Sequence, residues 1–169
     1  MDDKRYYIDN EREIGEWIDN INALLQELSP NAKPISKEYL RESIKKGNLL
    51  IVRDVTGNKP CIVGMGYISF SCQPSGITAK IADVVVLPSH RRKGLGKRIV
   101  KTLVESAEEL GAEYIELSDD INNPSFADAK RLCKRFGFKP IGNYMRYCFE
   151  NEKTQESEKK QECAAGKNE

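Results

Sequence analysis

The residues Ala82-Asp83-Val84-Val85-Val86-Leu87, followed by Arg91-Arg92-Lys93-Gly94-Leu95-Gly96, decide the fold class of this chain. The first stretch is a β-branched run of the kind that forms buried central strands. After Gly96, apolar residues recur at the spacing of one helix face, and Gly111 ends that helix. These apolar positions are Ile99, Val100, Leu103, Val104, Ala107 and Leu110. Since Tyr114–Leu117 predicts another strand, the segment is typical of a strand–loop–helix–strand crossover.

The remaining sequence predicts further helices and strands around the same sheet. Arg5–Ile8 is a candidate first strand, and two helices follow it, the second beginning after Ser36 as its N-cap residue. Leu49–Val52 and Cys61–Phe70 predict the two strands of an antiparallel hairpin. The last predicted elements are a helix over Phe126–Phe136 and a strand over Tyr144–Phe149. This order of elements predicts an α/β chain of the α+β kind with one mixed sheet.

Length and composition predict one domain with a short appendage. The chain has 169 residues, of which 39% are hydrophobic, as in an ordinary soluble globular protein. Residues 151–169 are almost all Glu, Lys, Gln, Asn and Ser, with too little apolar surface to offset the entropy of ordering them. We therefore expect a domain over residues 1–150 and a disordered, charged C-terminal tail over residues 151–169.

Charge and residue content disfavour several classes of function. The 27 Lys and Arg residues balance 26 Asp and Glu residues, so no net field favours nucleic acid or an anionic membrane. His90 is the only histidine, which disfavours multi-histidine metal sites, and we expect it to be a surface turn residue. The five cysteines form no C-x-x-C pair, and no apolar run could span a bilayer. We expect a cytoplasmic protein with no metal, nucleic-acid partner or membrane association.

The turn Arg91–Gly96, called the glycine loop from here on, has the features of a phosphate-binding site. A strand that enters such a turn and a helix that leaves it direct backbone N–H groups and a helix dipole at one point. Gly94 and Gly96 have no Cβ, so the backbone can approach an anion closely. The nearby cationic side chains are Arg91, Arg92, Lys93, Lys97 and Arg98. The simpler alternative is a basic turn that precedes a helix.

The glycine loop resembles motif A of the GNAT superfamily of acyl-CoA-dependent N-acyltransferases. That motif is [RQ]-x-x-G-x-[GA] after a strand like Val84–Val86, whereas neither the Walker loop nor the G-x-G-x-x-G dinucleotide motif is present. Other segments resemble the family in the same order along the chain. They are Leu28–Ala32, Leu110-Gly111-Ala112, Tyr114–Leu117, Pro124-Ser125, Phe136-Gly137-Phe138, Asn143 and Arg146. The resemblance therefore covers most of residues 5–149.

The resemblance implies a GNAT fold, in which a twisted, mixed and mostly antiparallel sheet is splayed at the acyl-CoA cleft and helices cover both faces. It also implies acetyl transfer from acetyl-CoA to the primary amine of a small molecule or peptide, by direct attack in a ternary complex. The strand would pair with the pantetheine arm and one of its amides would polarise the thioester, while the loop amides would hold the pyrophosphate. The implied cofactor-binding residues are Val84, Val85, Val86, Arg91, Arg92, Lys93, Gly94, Leu95, Gly96 and Lys97. A homodimer is consistent with the family.

The reaction includes two proton transfers, and either a carboxylate or a water chain must take the proton of the attacking amine. Asp83 is the nearest candidate base for the attacking amine, although an Asp before a valine run can also anchor the sheet. Many relatives protonate the leaving thiolate with a Tyr four residues before the Gly of the Gly-Phe pair, and that position here is Cys133. A thiol has a suitable pKa, near 8.5, but a small buried Cys is the simpler interpretation. Tyr144 and Tyr147 are alternative donors.

Two departures from the family pattern leave a second hypothesis open. Cys133 replaces the usual Tyr, and Phe126 stands where relatives commonly carry a polar residue that touches the cofactor. The chain could therefore be a catalytically weak GNAT-fold acyl-CoA sensor or interaction module. A third hypothesis, a phosphate-tracking patch for nucleic acid, is disfavoured by the near-neutral charge and the lack of interleaved aromatic residues.

Overall fold

A computed structural model of the chain describes residues 5–10, 17–117 and 126–139, and in this part it contains one sheet of five strands. The strands are β1 (Tyr6–Asn10), β2 (Gly47–Asp54), β3 (Cys61–Gln73), β4 (Gly76–Val86) and β5 (Tyr114–Leu117). Their order across the sheet follows the sequence; β1 to β4 are antiparallel neighbours, and β5 runs parallel to β4. The mixed, mostly antiparallel sheet is therefore confirmed, including the hairpin of β2 and β3.

Four α-helices and one 3₁₀ turn accompany the sheet in the described residues. They are α1 (Ile18–Leu28), α2 (Lys37–Lys45), the 3₁₀ turn Pro88–His90, α3 (Leu95–Glu109) and α4 (Phe126–Arg135). The predicted N-cap of α2 is confirmed, because Ser36 Oγ accepts a hydrogen bond from the N–H of Tyr39 at 3.2 Å. Gly111 follows α3 with a φ of 70°, a conformation that glycine adopts without a steric penalty.

Helices cover both faces of the sheet, and β4 has buried or half-buried side chains on each face. On one face α3 packs against residues of β2, β3 and β4, with Leu95, Ile99, Leu103 and Ala107 as its buried contacts. On the other face Ile21 and Leu24 of α1 and Leu40 of α2 form a second cluster. Side chains alternate along β4 accordingly: those of Val84 and Val86 face α3, and that of Val85 faces α1 and α2.

Gly66 allows α3 to lie close to the sheet. A Cβ on Gly66 would lie 2.5 Å from Ile99 Cγ2 and 2.9 Å from Leu103 Cδ1, both in the buried face of α3. Only hydrogen fits at this position without displacing a packed side chain. The close approach fixes the beginning of α3 near the end of β4, which is where the glycine loop joins the two elements.

Several sequence predictions fall outside the described residues. They are the strand Tyr144–Phe149, the domain boundary near residue 150 and the tail over residues 151–169. No helix in the described part of the chain combines the length and the apolar character needed to cross a membrane.

Candidate functional site

The described residues of β5 pair with only the first part of β4. Among the described residues their last pair is Ile81 with Leu117, whereas β4 continues to Val86 and stays paired with β3 through Gly64. The edge of Ala82–Val86 that faces away from β3 therefore has no strand partner in the described structure. An unpaired strand edge offers its N–H and C=O groups to an extended ligand.

The direction of the backbone groups along this edge follows from one hydrogen bond. The N–H of Leu87 donates to Val63 O at 2.9 Å, so Leu87 faces β3. Because backbone groups alternate along a strand, Val85 also directs its N–H to β3, and the N–H groups of Val84 and Val86 point to the unpaired edge. Of the three valines predicted to bind a cofactor, two thus present backbone donors to the opening.

Asp83 lies at an irregularity of β4, where the strand carries one residue more than its partner. The register with β3 shifts between Met65 and Tyr67, and Asp83 has a φ of 52°, in the left-handed region. Asp is among the few non-glycine residues that tolerate this conformation. Such a bulge changes the direction of a side chain and ends regular pairing. It lies two residues after Ile81, the last residue of β4 that pairs with a described residue of β5.

The carboxyl of Asp83 is solvent-accessible, but surrounding protein atoms reduce its hydration and raise its pKa above the ordinary value. Its charge also reaches Tyr67, whose pKa is raised first by burial and then by Asp83. Tyr67 packs on the face of α1 and α2, and its hydroxyl donates to Ser43 O of α2 at 2.7 Å. Asp83 is therefore close to the face of the sheet that α2 covers.

The glycine loop joins the 3₁₀ turn to α3 through two left-handed residues. Arg92 has a φ of 63° and Gly94 a φ of 76°, and Gly94 is the N-cap residue of α3. Leu95 anchors the loop in the core on the α3 face, where it is buried. A Cβ on Gly96 would be 3.6 Å from Leu132 Cδ2 of α4, an ordinary contact, so packing within the protein does not require glycine there.

Six consecutive amides of the loop and helix start are available to a ligand. In the described residues no carbonyl or side chain accepts a hydrogen bond from the N–H groups of Arg92–Lys97, and the first such bond of α3 runs from Arg98 to Gly94 O at 3.1 Å. The first turn of α3 also contains no acidic residue. The positive end of the helix dipole and these donors together have the chemistry to bind an anion.

Arg91 and Lys93 use their side chains to hold the loop. Arg91 Nε donates to Val86 O at 3.0 Å, its Nη2 pairs with Glu27 of α1, and its own N–H donates to Pro88 O at 3.2 Å. Lys93 Nζ donates to Ser89 O at 3.0 Å. Three donors of Arg91, its Nε, its Nη2 and its backbone N–H, are therefore engaged with the protein, and its cofactor-binding role stays a prediction.

His90 differs from the sequence expectation of a surface turn residue. It does lie in the turn, but its side chain is only 16% exposed, and its Nε2 is 3.2 Å from Oδ2 of Asp54. Asp54 is buried at the end of β2 and was missed by sequence analysis. The two residues are 36 positions apart, and no local pattern links them.

The other predicted catalytic residues lie partly outside the described structure. Cys133 is half-buried in α4, next to Leu132, which contacts the beginning of α3. Tyr144 lies outside the described residues. No group of three or more His, Cys, Asp or Glu side chains in the described part of the chain has the arrangement of a metal site.

Known proteins share the fold of this chain. Residues 18–138 match the acetyltransferase (GNAT) family. Glucosamine-6-phosphate N-acetyltransferase from Arabidopsis thaliana is similar in structure, with a TM-score of 0.69, 21% identity and coverage of 86% of this chain and 99% of the plant chain. A transcriptional regulator from Bacillus halodurans C-125 is also similar, with a TM-score of 0.66, 24% identity and coverage of 85% of this chain and 99% of the bacterial chain. An aminoglycoside N-acetyltransferase in complex with CoA has a TM-score of 0.65 and 14% identity, with coverage of 88% of this chain and 99% of its own chain. The structural likenesses show the fold, and the match over residues 18–138 shows that the chain belongs to the GNAT acetyltransferase family.

Proposed function

We propose that the protein transfers the acetyl group of acetyl-CoA to a primary amine by direct attack within a ternary complex. The observation that carries this proposal is the succession of two donor arrays along the chain. The edge of β4 without a described strand partner ends at Val86, and the open amides of Arg92–Lys97 follow after the 3₁₀ turn Pro88–His90 and Arg91. One array suits an extended, amide-containing arm and the other suits a diphosphate. Acetyl-CoA, the cosubstrate of the family, contains both in this order.

In this proposal each part of acetyl-CoA has a defined place. The pyrophosphate accepts hydrogen bonds from the amides of Arg92–Lys97, and the pantetheine arm pairs with β4 along its free edge. The N–H of Val84 or Val86 donates to the thioester carbonyl and stabilises the oxyanion that forms on attack. Val85 contributes by packing, because its side chain is buried between β4 and the helices α1 and α2.

Asp83 is the proposed general base. An ammonium has no lone pair, so the acceptor must lose a proton before its nitrogen attacks the carbonyl carbon. The raised pKa of Asp83 strengthens it as a base, and its place in the bulge directly before Val84 supports a position close to the thioester. The proton passes to Asp83, the N–C bond forms, and the C–S bond breaks.

The proton that the departing CoA thiolate takes up is proposed to come from Cys133. A cysteine thiol and the alkyl thiol of CoA have similar reference pKa values, so the free energy of this proton transfer is close to zero. Support comes from the position of α4, whose Leu132 contacts the first turn of α3. Tyr144 is the alternative donor.

The acceptor is proposed to be a small molecule or peptide with a primary amine. Among structurally similar proteins, one is named for glucosamine 6-phosphate and another for aminoglycosides, and both are amino sugars. Amino sugars are therefore the first class to test, followed by polyamines, amino acids and peptides.

A weakly catalytic acyl-CoA sensor is the second candidate, since Cys133 occupies the position at which relatives carry their acidic Tyr. Release of CoA thiol, measured with acetyl-CoA and the panel of amines, separates the two functions. The enzyme proposal expects amine-dependent thiol release and an acetylated product detected by mass spectrometry. Tight binding of acetyl-CoA without amine-dependent release would instead favour the sensor.

A further inference from the structure

Asp54, at the end of β2, is the centre of a buried polar cluster. It is the one charged residue among the described residues that is buried, with 6% of its surface exposed. Its Oδ2 accepts hydrogen bonds from Arg5 Nη2 at 2.8 Å and Nε at 3.2 Å, and its Oδ1 accepts from Thr56 Oγ1 at 2.7 Å and from the Thr56 N–H at 3.0 Å. These bonds, those of Arg5 first, hold the pKa of Asp54 well below its usual range. The carboxylate is therefore ionised and rigidly held.

The protonation state of Asp54 determines how His90 is bound. An ionised carboxylate only accepts hydrogen bonds, so His90 Nε2, 3.2 Å from Oδ2, carries the proton and donates it. The other ring nitrogen, Nδ1, lies 2.9 Å from Ser89 Oγ and accepts from that hydroxyl in the neutral imidazole. The ring of Tyr6 stands edge-on to the imidazole, with 6.1 Å between ring centroids. The imidazole is thus held on three sides.

His90 occupies a position from which it can control the glycine loop. It is the last residue of the 3₁₀ turn, its N–H donates to Leu87 O at 2.9 Å, and Arg91 follows it directly. A bond from its side chain to β2 connects this turn with a strand two places away in the sheet. The far end of the loop is fixed separately, by Leu95 in the core.

We propose that Asp54 and His90 are positioning residues for the pyrophosphate of acetyl-CoA. They do not contact the ligand; they fix the entrance of the glycine loop so that the amides of Arg92–Lys97 converge without reorganisation. Ligand affinity depends on such preorganisation, because a loop that must be ordered on binding loses part of its interaction free energy. This inference rests on the proposed function in one respect, namely that the glycine loop holds the pyrophosphate.

The test compares His90→Gln with Arg5→Gln. His90→Gln removes the imidazole from the loop entrance. Arg5→Gln removes a different partner of the same carboxylate, while both Thr56 hydrogen bonds to Oδ1 remain and keep Oδ2 directed at His90. Calorimetry with CoA should show a Kd about tenfold higher for His90→Gln and unchanged within about twofold for Arg5→Gln. In steady-state assays His90→Gln should raise the KM for acetyl-CoA and leave kcat nearly unchanged.

A truncated ligand separates loop positioning from a general loss of structure. Acetyl-pantetheine contains the thioester arm but no pyrophosphate, so its KM should be the same for the wild type and His90→Gln. Thermal melting should show that both variants are folded, with Arg5→Gln at least as destabilised as His90→Gln. The inference is overturned if His90→Gln binds CoA as tightly as the wild type, if acetyl-pantetheine is weakened equally, or if Arg5→Gln raises the Kd as much. Failure of the wild type to bind CoA would overturn the proposed function itself.

Discussion

Arg91 and Glu27, which are 64 positions apart in the chain, form an ion pair in which Nη2 lies 2.5 Å from Oε1. Glu27 belongs to the last turn of α1, and Arg91 begins the glycine loop. The same guanidinium donates from Nε to Val86 O, at the end of β4. One side chain therefore connects the loop, the free strand edge and a helix on the opposite face from α3.

The first prediction is that Glu27→Gln weakens acetyl-CoA binding slightly. The pair is partly exposed, and such pairs contribute at most about 1 kcal/mol, so the KM for acetyl-CoA should rise about two- to fivefold. Its matched control is Glu42→Gln, which removes an exposed pair with Lys45 on α2. Equal KM values for the two variants in the steady-state assay would show that the Glu27 pair does not support the loop.

The second prediction concerns Asp83→Asn. Asn has nearly the same shape and also tolerates a φ of 52°, so the bulge should persist. Loss of a general base lowers kcat by about 10² to 10⁴-fold, while the Kd for CoA should not change. Single-turnover kinetics test the expected loss of rate, and calorimetry on the same preparation tests the unchanged Kd for CoA. An unchanged kcat would exclude Asp83 as the base.

Asp83→Asn should also reveal the sign of the electrostatic effect on stability. A carboxyl whose pKa is higher in the folded state than in the unfolded state disfavours folding once it is ionised, so its cost appears as pH rises through the folded pKa. At neutral pH the variant should therefore unfold at the same temperature as the wild type or above it. Near pH 3 the Asp83 carboxyl is mostly protonated in both the folded and the unfolded wild type. The wild type and Asp83→Asn should therefore have similar stabilities at that pH.

The third prediction tests Cys133 as the proton donor. If its thiol protonates the CoA thiolate, Cys133→Ala should lower kcat by about 10- to 100-fold with little change in the KM for acetyl-CoA. Cys72→Ala, at an exposed position of β3, serves as the control for loss of a thiol. Equal turnover numbers for the two variants would leave Tyr144 as the candidate donor.

The fourth prediction concerns the packing of α3 on the sheet. Gly66→Ala introduces a methyl group 2.5 Å from Ile99 Cγ2, and overpacking of this kind costs about 1 to 3 kcal/mol of unfolding free energy. Gly57→Ala, in the β2–β3 turn, is a suitable control because the nearest atom to its new Cβ, Lys59 O, is 3.5 Å away. Urea denaturation measures the unfolding free energy of both variants. Equal losses for Gly66→Ala and Gly57→Ala would contradict the tight contact between α3 and β3.

Local sequence features predicted much of this structure. The valine run, the glycine loop and the periodic helix after it predicted β4, α3 and β5 in order, because each is encoded by neighbouring residues. The N-cap at Ser36 was equally readable, since its hydrogen bond spans three residues. Family resemblance added the mixed sheet with helices on both faces, which is confirmed, and the splay between β4 and β5, which stays a prediction.

Two side-chain pairs that sequence analysis missed around the glycine loop are long-range. Asp54 and His90, or Glu27 and Arg91, meet only because the sheet brings β2, β4 and α1 together, and charged residues at such spacings carry no periodic pattern. The bulge at Asp83 was missed for another reason. A prediction of alternating side chains assumes that each residue of a strand pairs with one residue of its neighbour. The extra residue of β4 breaks this one-to-one pairing with β3, and the composition of the strand gives no sign of it.

The central claim is that backbone amides of β4 and of the glycine loop hold acetyl-CoA. An NMR titration of ¹⁵N-labelled protein with acetyl-CoA tests it most directly, because each amide reports separately. We expect the largest shifts at Arg92–Lys97 and at Val84 and Val86, with a smaller shift at Val85, whose N–H faces β3. Saturation with shifts confined to other parts of the chain, or no shifts at millimolar acetyl-CoA, would contradict it.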